Sequence, residues 1–246
     1  MKPRIVALGD STSCGEGVGI SIPSGATWPA RLAAATPGAE LVPLAVAGSR
    51  LRDVREGQLT DAVRSRADVV TLLIGLNDVA RGGFDAGAFR SSLHDVVGSL
   101  RSTGTILLLG RLHDVTAVLP LPPALRSAVR ARTAEVNAAV DACLDDRVLP
   151  IDLAALPGLR MRRMWEVDRV HPNVAGHALI ADAAARVLRS AGLPVGPIRQ
   201  PAMPSAPGPL REARWLVRHG LPWLGAHVPQ VVLPALTAAA RPSRQG

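Results

Sequence analysis

Short apolar runs alternate along the chain with longer stretches of helical periodicity. Runs of strand length fall at residues 4–8, 41–45, 69–74, 105–109 and 148–152, each too short for a buried helix and rich in Val, Leu and Ile. Between them, Thr27 ahead of Trp28-Pro29 predicts a helix start, and Ala-rich periodicity predicts helices over 124–144 and 173–188. Strands separated by helices form a parallel sheet covered on both faces, so the pattern predicts an α/β fold. The pattern breaks after Leu193. Between residues 197 and 209 five of thirteen positions are proline, a semi-rigid connector rather than core. The expected division is a domain over residues 1–195 and an extension over 196–246. In that extension Arg211, Arg214 and Arg218 share one helical face, with Leu210, Ala213 and Val217 turned away from it.

Composition narrows the function classes. A chain of 246 residues with 48% hydrophobic and 20% charged positions is globular and long enough for a sizeable core. Aromatics are 2%, with no Tyr, so stacking platforms for single-stranded nucleic acid are lacking and no nucleic-acid partner is expected. The net charge of +8 is concentrated late, because residues 199–246 carry six Arg against the single Glu212. Cys14 and Cys143 have neither disulfide-framework nor metal-ligand spacing and read as ordinary thiols. The N-terminal residues lack the apolar stretch and cleavage site of a signal peptide, which predicts a cytoplasmic protein. Residues 220–240 are uncharged, but Pro222, Pro229, Pro234 and His227 interrupt them, so no transmembrane segment is expected.

In open parallel sheets ligands bind beyond the carboxyl ends of the strands. The polar clusters fall there: Gly9-Asp10-Ser11 after the first run, Gly48-Ser49 after the second, Gly75-Leu76-Asn77-Asp78 after the third, and Asp168-Arg169-Val170-His171 before the last helix. Ser11 needs a base to act as a nucleophile, and His171 is the best candidate. Asp168, three residues earlier, supplies the carboxylate that fixes the imidazole tautomer and stabilises its cation. An oxyanion would be met by the backbone N–H groups of Ser11 and Gly48 and the side-chain amide of Asn77. Gly48 suits that role, because a side chain there would obstruct the substrate carbonyl.

These four blocks, ending in Asp168-Arg169-Val170-His171-Pro172, resemble the signature blocks of the SGNH hydrolases, also called GDSL esterases and lipases. The resemblance covers roughly residues 4–190. It implies a three-layer α/β/α sandwich with a five-stranded, flavodoxin-like parallel sheet, to which the chain adds a C-terminal helical extension. It also implies ester hydrolysis through an acyl-enzyme, with Ser11 as nucleophile, His171 as base, Asp168 as its partner, and Ser11, Gly48 and Asn77 as the oxyanion hole. The expected partner is a small-molecule ester; no cofactor and no metal are implied. Two departures stand out. The Asn usual five residues before the second block's glycine is Pro43 here, and the first block reads Ser-Thr rather than Ser-Leu. Residues 215–224 resemble the Trp, His and Pro-Trp cluster that follows the catalytic domain in some bacterial members.

Plainer readings compete at each position. Ser11 alone could be a helix N-cap and Asp10 a turn residue. Gly15, Gly17 and Gly19 do not match a dinucleotide loop, whose glycines belong at the strand end. Ser13 stands where the α/β-hydrolase elbow requires its last glycine. His177 reads as a capping or packing residue and Asp152 as a turn carboxylate. His113, with Asp114, follows the fourth strand on the same edge, and it and Trp165 are the candidate substrate contacts, with packing the competing reading for Trp165. The basic extension could be a solvated helix face, a cover over the substrate mouth, or an interfacial helix in peripheral contact with anionic lipid. Acyl transfer with the same triad, and a non-catalytic binding module using the Arg-rich extension, are the alternatives to hydrolysis.

Overall fold

The computed structural model describes residues 2–102 and 104–222. In chain order the elements are β1 (Arg4–Gly9), α1 (Ser11–Cys14), β2 (Glu16–Gly17), β3 (Ile20–Ser21), α2 (Trp28–Ala35), β4 (Glu40–Pro43), α3 (Leu51–Asp53), α4 (Leu59–Arg64), β5 (Val69–Leu73), α5 (Leu76–Ala80), α6 (Ala86–Arg101), β6 (Ile106–Arg111), α7 (Pro123–Asp141), β7 (Val148–Asp152), α8 (Val174–Ser190) and α9 (Pro209–Trp215). Strands β4, β1, β5, β6 and β7, in that spatial order, form one parallel sheet. The second sheet strand thus lies outside the first, the flavodoxin-like order. Strands β2 and β3 make a separate antiparallel hairpin.

Every residue of β5 is buried, as a central strand covered on both faces requires. Helices α2 and α8 pack together on one face, while α4, α6 and α7 cover the other. The α2–α8 contact is close because Ala178, Ala181, Ala184 and Ala185 of α8 are small and fully buried, letting the large Trp28 and Leu32 of α2 seat against the core.

The expected strands are present within one or two residues. The second ends early, at Pro43, which has no N–H for the ladder and is tolerated because β4 is an edge strand. Beyond it Leu44 N and Val46 N still donate to Ala7 O and Gly9 O, at 2.9 and 3.1 Å, so the chain stays beside β1 up to the second signature block. Thr27 does not cap α2 with its side chain. Its hydroxyl donates to Ser24 O, and Trp28 N donates instead to His177 Nδ1 at 3.1 Å. The core continues past the composition break: Val195 and Ile198 are buried, Gly196 N donates to Ala35 O at 2.7 Å, and Arg31 Nη1 donates to Arg199 O at 3.0 Å. Among the described residues no helix is long and apolar enough to cross a membrane. Most of the uncharged stretch from Gly220 to Ala240, and the end of the Trp–His–Pro-Trp cluster, lie outside the described residues.

Leu72 is fully buried at the centre of the sheet, where the surroundings have little room to collapse. Leu72→Ala is expected to lower unfolding stability by about 3 kcal/mol in urea denaturation, within the range for leucine truncations in a packed core.

Candidate active site

Strand β1 ends at Gly9, whose backbone sits at φ +127° with the position of a Cβ only 2.2 Å from Leu73 O. A side chain is excluded both by conformation and by the neighbouring strand. The turn delivers Asp10 as N-cap of α1, its carboxylate accepting from Thr12 N at 2.9 Å. Ser11 therefore opens the helix, and its N–H has no partner among the described residues. The capping role considered for Ser11 belongs to Asp10.

Side chains then lace the loops together. The buried Gln58 accepts from Gly9 N at 2.9 Å and donates to Gly9 O and Ser49 Oγ at 3.0 and 3.2 Å, joining the first block to the second. Asp78 accepts from Leu51 N at 3.2 Å. Asn77 Nδ2 donates to Ser49 O at 3.1 Å and Asp10 Oδ2 at 3.2 Å, tying the third block to both others. Gly48 has φ +78°, and a Cβ there would lie 3.3 Å from Arg81 Nη2. Arg81 in turn reaches Asn77 Oδ1 at 3.5 Å. Sequence reasoning did not anticipate Gln58 or Arg81, since neither stands in a signature block and polar side chains in a helix usually face water.

The fourth block is a self-bonded loop. Asp168 Oδ1 accepts from Val170 N and His171 N at 2.9 and 3.0 Å, and Asp168 Oδ2 is hydrogen-bonded to His171 Nδ1. Arg169 adopts φ +62° to close this turn. Asn173 then sets the start of the last helix, capping α8 through Ala175 N and Gly176 N and donating to Arg163 O. The His171 ring lies against Gly17 of the hairpin, where a Cβ would come within 2.7 to 3.0 Å of three ring atoms.

Burial pulls the His171 pKa down, but the hydrogen bond and charge of Asp168 outweigh it, and the net effect is upward. Burial raises Asp10 despite its bonds from Thr12 and Asn77, and pushes Asp78 up to about 6. His177 is pushed down to about 3 by burial, consistent with a neutral ring accepting from Trp28 N.

Ser11, Gly48, Asn77, Asp168 and His171 all line one cavity of about 480 Å³. Its apolar walls come from Val18, Ala47, Leu76, Ala80, Val170 and Trp215. No hydrogen bond links Ser11 Oγ to His171 among the described residues. His113 and Trp165 do not line this cavity. Their rings pack on each other at 4.6 Å between centroids, and Trp165 is 1% exposed with its indole N–H donated to Leu159 O. Trp165 thus packs beneath the loop. Burial pushes His113 down to about 4. The aromatic residue on the cavity wall is instead Trp215, from the extension.

The family model described as "GDSL-like Lipase/Acylhydrolase family" matches residues 7–179. The chain belongs to this family. The GDSL-like esterase Rv1075c of Mycobacterium tuberculosis (strain ATCC 25618 / H37Rv) is 30% identical over 167 residues, covering 63% of this chain and 50% of that protein; the chain thus spans about half the length of the curated relative. Among solved structures, Axe2, an acetylxylan esterase from Geobacillus stearothermophilus, is 22% identical with TM-score 0.58, covering 76% of this chain and 94% of its own. The psychrotrophic esterase EstA from Pseudoalteromonas sp. is 16% identical with TM-score 0.60, covering 77% and 98%. At these identities the likeness establishes the GDSL fold. All four blocks of this GDSL-family chain lie inside the matched residues, whereas α9 lies outside them.

Gly17→Ala is expected to push the imidazole off its seat and loosen its bond to Asp168, weakening the largest of the interactions that hold its pKa up against burial. The His171 midpoint in an NMR titration should then fall toward 6.5, the ordinary histidine value. An unchanged midpoint would mean the ring has room to spare.

Proposed function

We propose that this GDSL-family protein is a serine esterase acting on a small or medium acyl ester. The observation that carries the reading is the convergence of Ser11 with an Asp168-bonded imidazole in one largely apolar cavity. Asp168 holds the proton on Nδ1, which leaves Nε2 of the neutral ring as the base. In the proposed reaction Ser11 Oγ attacks the ester carbonyl while its proton passes to Nε2. The carbonyl π pair moves to oxygen as the tetrahedral intermediate forms. When that intermediate collapses, the alkoxide leaves with the proton from His171, and Ser11 carries the acyl group. Water then repeats the sequence with His171 as base, releasing the acid and restoring Ser11.

The N–H groups of Ser11 and Gly48 support the oxyanion assignment because both are unengaged among the described residues. Asn77 Nδ2 spends its donors on Asp10 and Ser49 at rest, at 3.2 and 3.1 Å. These bonds are long enough that a developing negative charge would compete for one of them. A missing Ser11–His171 bond in the resting site fits this scheme, since catalytic hydrogen bonds often tighten only around substrate.

A fluorophosphonate probe is expected to label the wild-type protein, and Ser11→Ala to abolish labelling and lower hydrolysis of p-nitrophenyl acetate by at least about 10³-fold. Labelling of another serine removes the assignment, and an unlabelled protein whose binding to anionic surfaces falls steeply with salt favours the binding-module alternative. The pH dependence has a definite sign. The base must be neutral and its pKa is raised, so kcat/KM should rise with pH through a midpoint above 6.5, losing about tenfold per pH unit below it. Asp168→Asn should move that limb to lower pH while cutting kcat; a profile flat between about pH 5 and 8 would exclude His171 as the base.

A further inference from the structure

The segment 209–220 lies beyond the residues matched by the family model, yet it is fastened to the signature loop at several points. Glu212 receives Arg162 through Nε at 2.9 Å and Nη2 at 2.6 Å, and its other oxygen receives Arg169 Nη2 at 2.6 Å. Arg169 is the left-handed residue between Asp168 and His171. The carboxylate of Glu212 is 23% exposed and its partners 20% and 31%, so these pairs are more shielded than ordinary surface ones. A weaker pair joins Arg211 to Glu166 at 3.9 Å.

One turn further on, Trp215 Nε1 donates to Val18 O at 3.0 Å. His219 lies against Gly19, where a Cβ would be 2.9 Å from its ring. The β2–β3 hairpin is therefore held between two imidazoles, with His171 on Gly17 and His219 on Gly19. Trp215 and Gly220 reach the same cavity as Ser11. The indole N–H is spent on the hairpin, so what the ring adds to the cavity is apolar surface.

We propose that segment 209–220 is the outer wall of the substrate cavity. Trp215 is its specificity-determining residue for acyl-chain length, and Glu212 is the positioning residue that fastens the wall to the Arg169 turn. This rests on the reading of Ser11 as the nucleophile. A six-carbon acyl chain on Ser11 offers the indole more apolar surface to cover than an acetyl group does, so its turnover depends more on the wall. Of the three readings of the extension, solvated helix face, cover over the substrate mouth and interfacial helix, the bonds of Glu212 and Trp215 favour the cover, in the form of a fixed wall.

The test compares kcat/KM for p-nitrophenyl hexanoate and acetate in the full chain. Trp215→Ala is expected to lower the hexanoate-to-acetate ratio by about tenfold, through KM for hexanoate, and Trp215→Phe to restore most of it. Glu212→Gln, which leaves the cavity lining untouched, should lower the ratio about threefold by loosening the wall. A ratio unchanged or raised in Trp215→Ala overturns the specificity role, and one unchanged in Glu212→Gln overturns the fastening role. Fluorophosphonate labelling of wild-type Ser11 separates the two levels. With labelling intact, an unchanged ratio sinks only the wall; without it, the esterase reading falls and the wall with it.

Discussion

The site depends on the side chains that hold the loops after β1, β4 and β5 in register beyond the end of the sheet ladder. Val46 N still donates to Gly9 O past that ladder, but the remaining polar groups of the buried Gly9 and Ser49 take side-chain partners. Gln58 satisfies both polar groups of Gly9 and reaches Ser49, Asn77 bridges Ser49 and Asp10, and Asp78 takes Leu51 N. Each bond is modest, but leaving any of these groups unmade would cost more than making it. The same bonds that satisfy the backbone set the positions of Ser11 and the Gly48 N–H. Fold stability and site geometry therefore rest on one network, which limits how far the loops can be altered.

Electrostatics sorts the acidic residues of the edge into different tasks. Asp10 sits under Ser11, buried and bonded to Thr12 N and Asn77 Nδ2, where it caps a helix and orients an amide. Asp168 is the carboxylate given to the imidazole, with its second oxygen held by two backbone N–H groups of the same turn. The turn closes because Arg169 accepts a left-handed conformation, and that residue is also bonded to Glu212. A non-glycine residue in this region is uncommon, and the ion pair places part of the local geometry under the control of a distant helix.

The extension shows how a shared fold acquires an individual site. The matched region brings the signature residues together on the sheet edge, and Trp215 and Gly220, from beyond it, complete the lining of the cavity. The excess positive charge of the extension suggested an outward-facing surface. Its single acidic residue turns inward instead, to Arg169 of the signature loop and Arg162 just ahead of it. Arg211, from the same helix, pairs with Glu166. The direction of charge along a sequence did not reveal the direction of the contact, because an ion pair depends on which side chains meet.

The alternation of apolar runs and helical periodicity determined the parallel sheet and its strand positions to within one or two residues, because strand burial on both faces leaves a pattern that local neighbours cannot disguise. Asp168 and His171 were legible as a pair since only two residues of one turn separate them. The four blocks were legible as a set because together, and in order, they resemble the signature blocks of the GDSL family. The contacts of Gln58 and Glu212 were not legible, since their partners lie far away in sequence, and Trp215, though marked by the resemblance of residues 215–224, carried no sign of the hairpin it bonds. The placement of His113 and Trp165 off the cavity was likewise decided by packing. The sequence alone thus determined the sheet and the signature residues, through interactions between near neighbours. Only the tertiary structure decided what joins them and what walls the cavity, because those interactions exist only once distant segments meet.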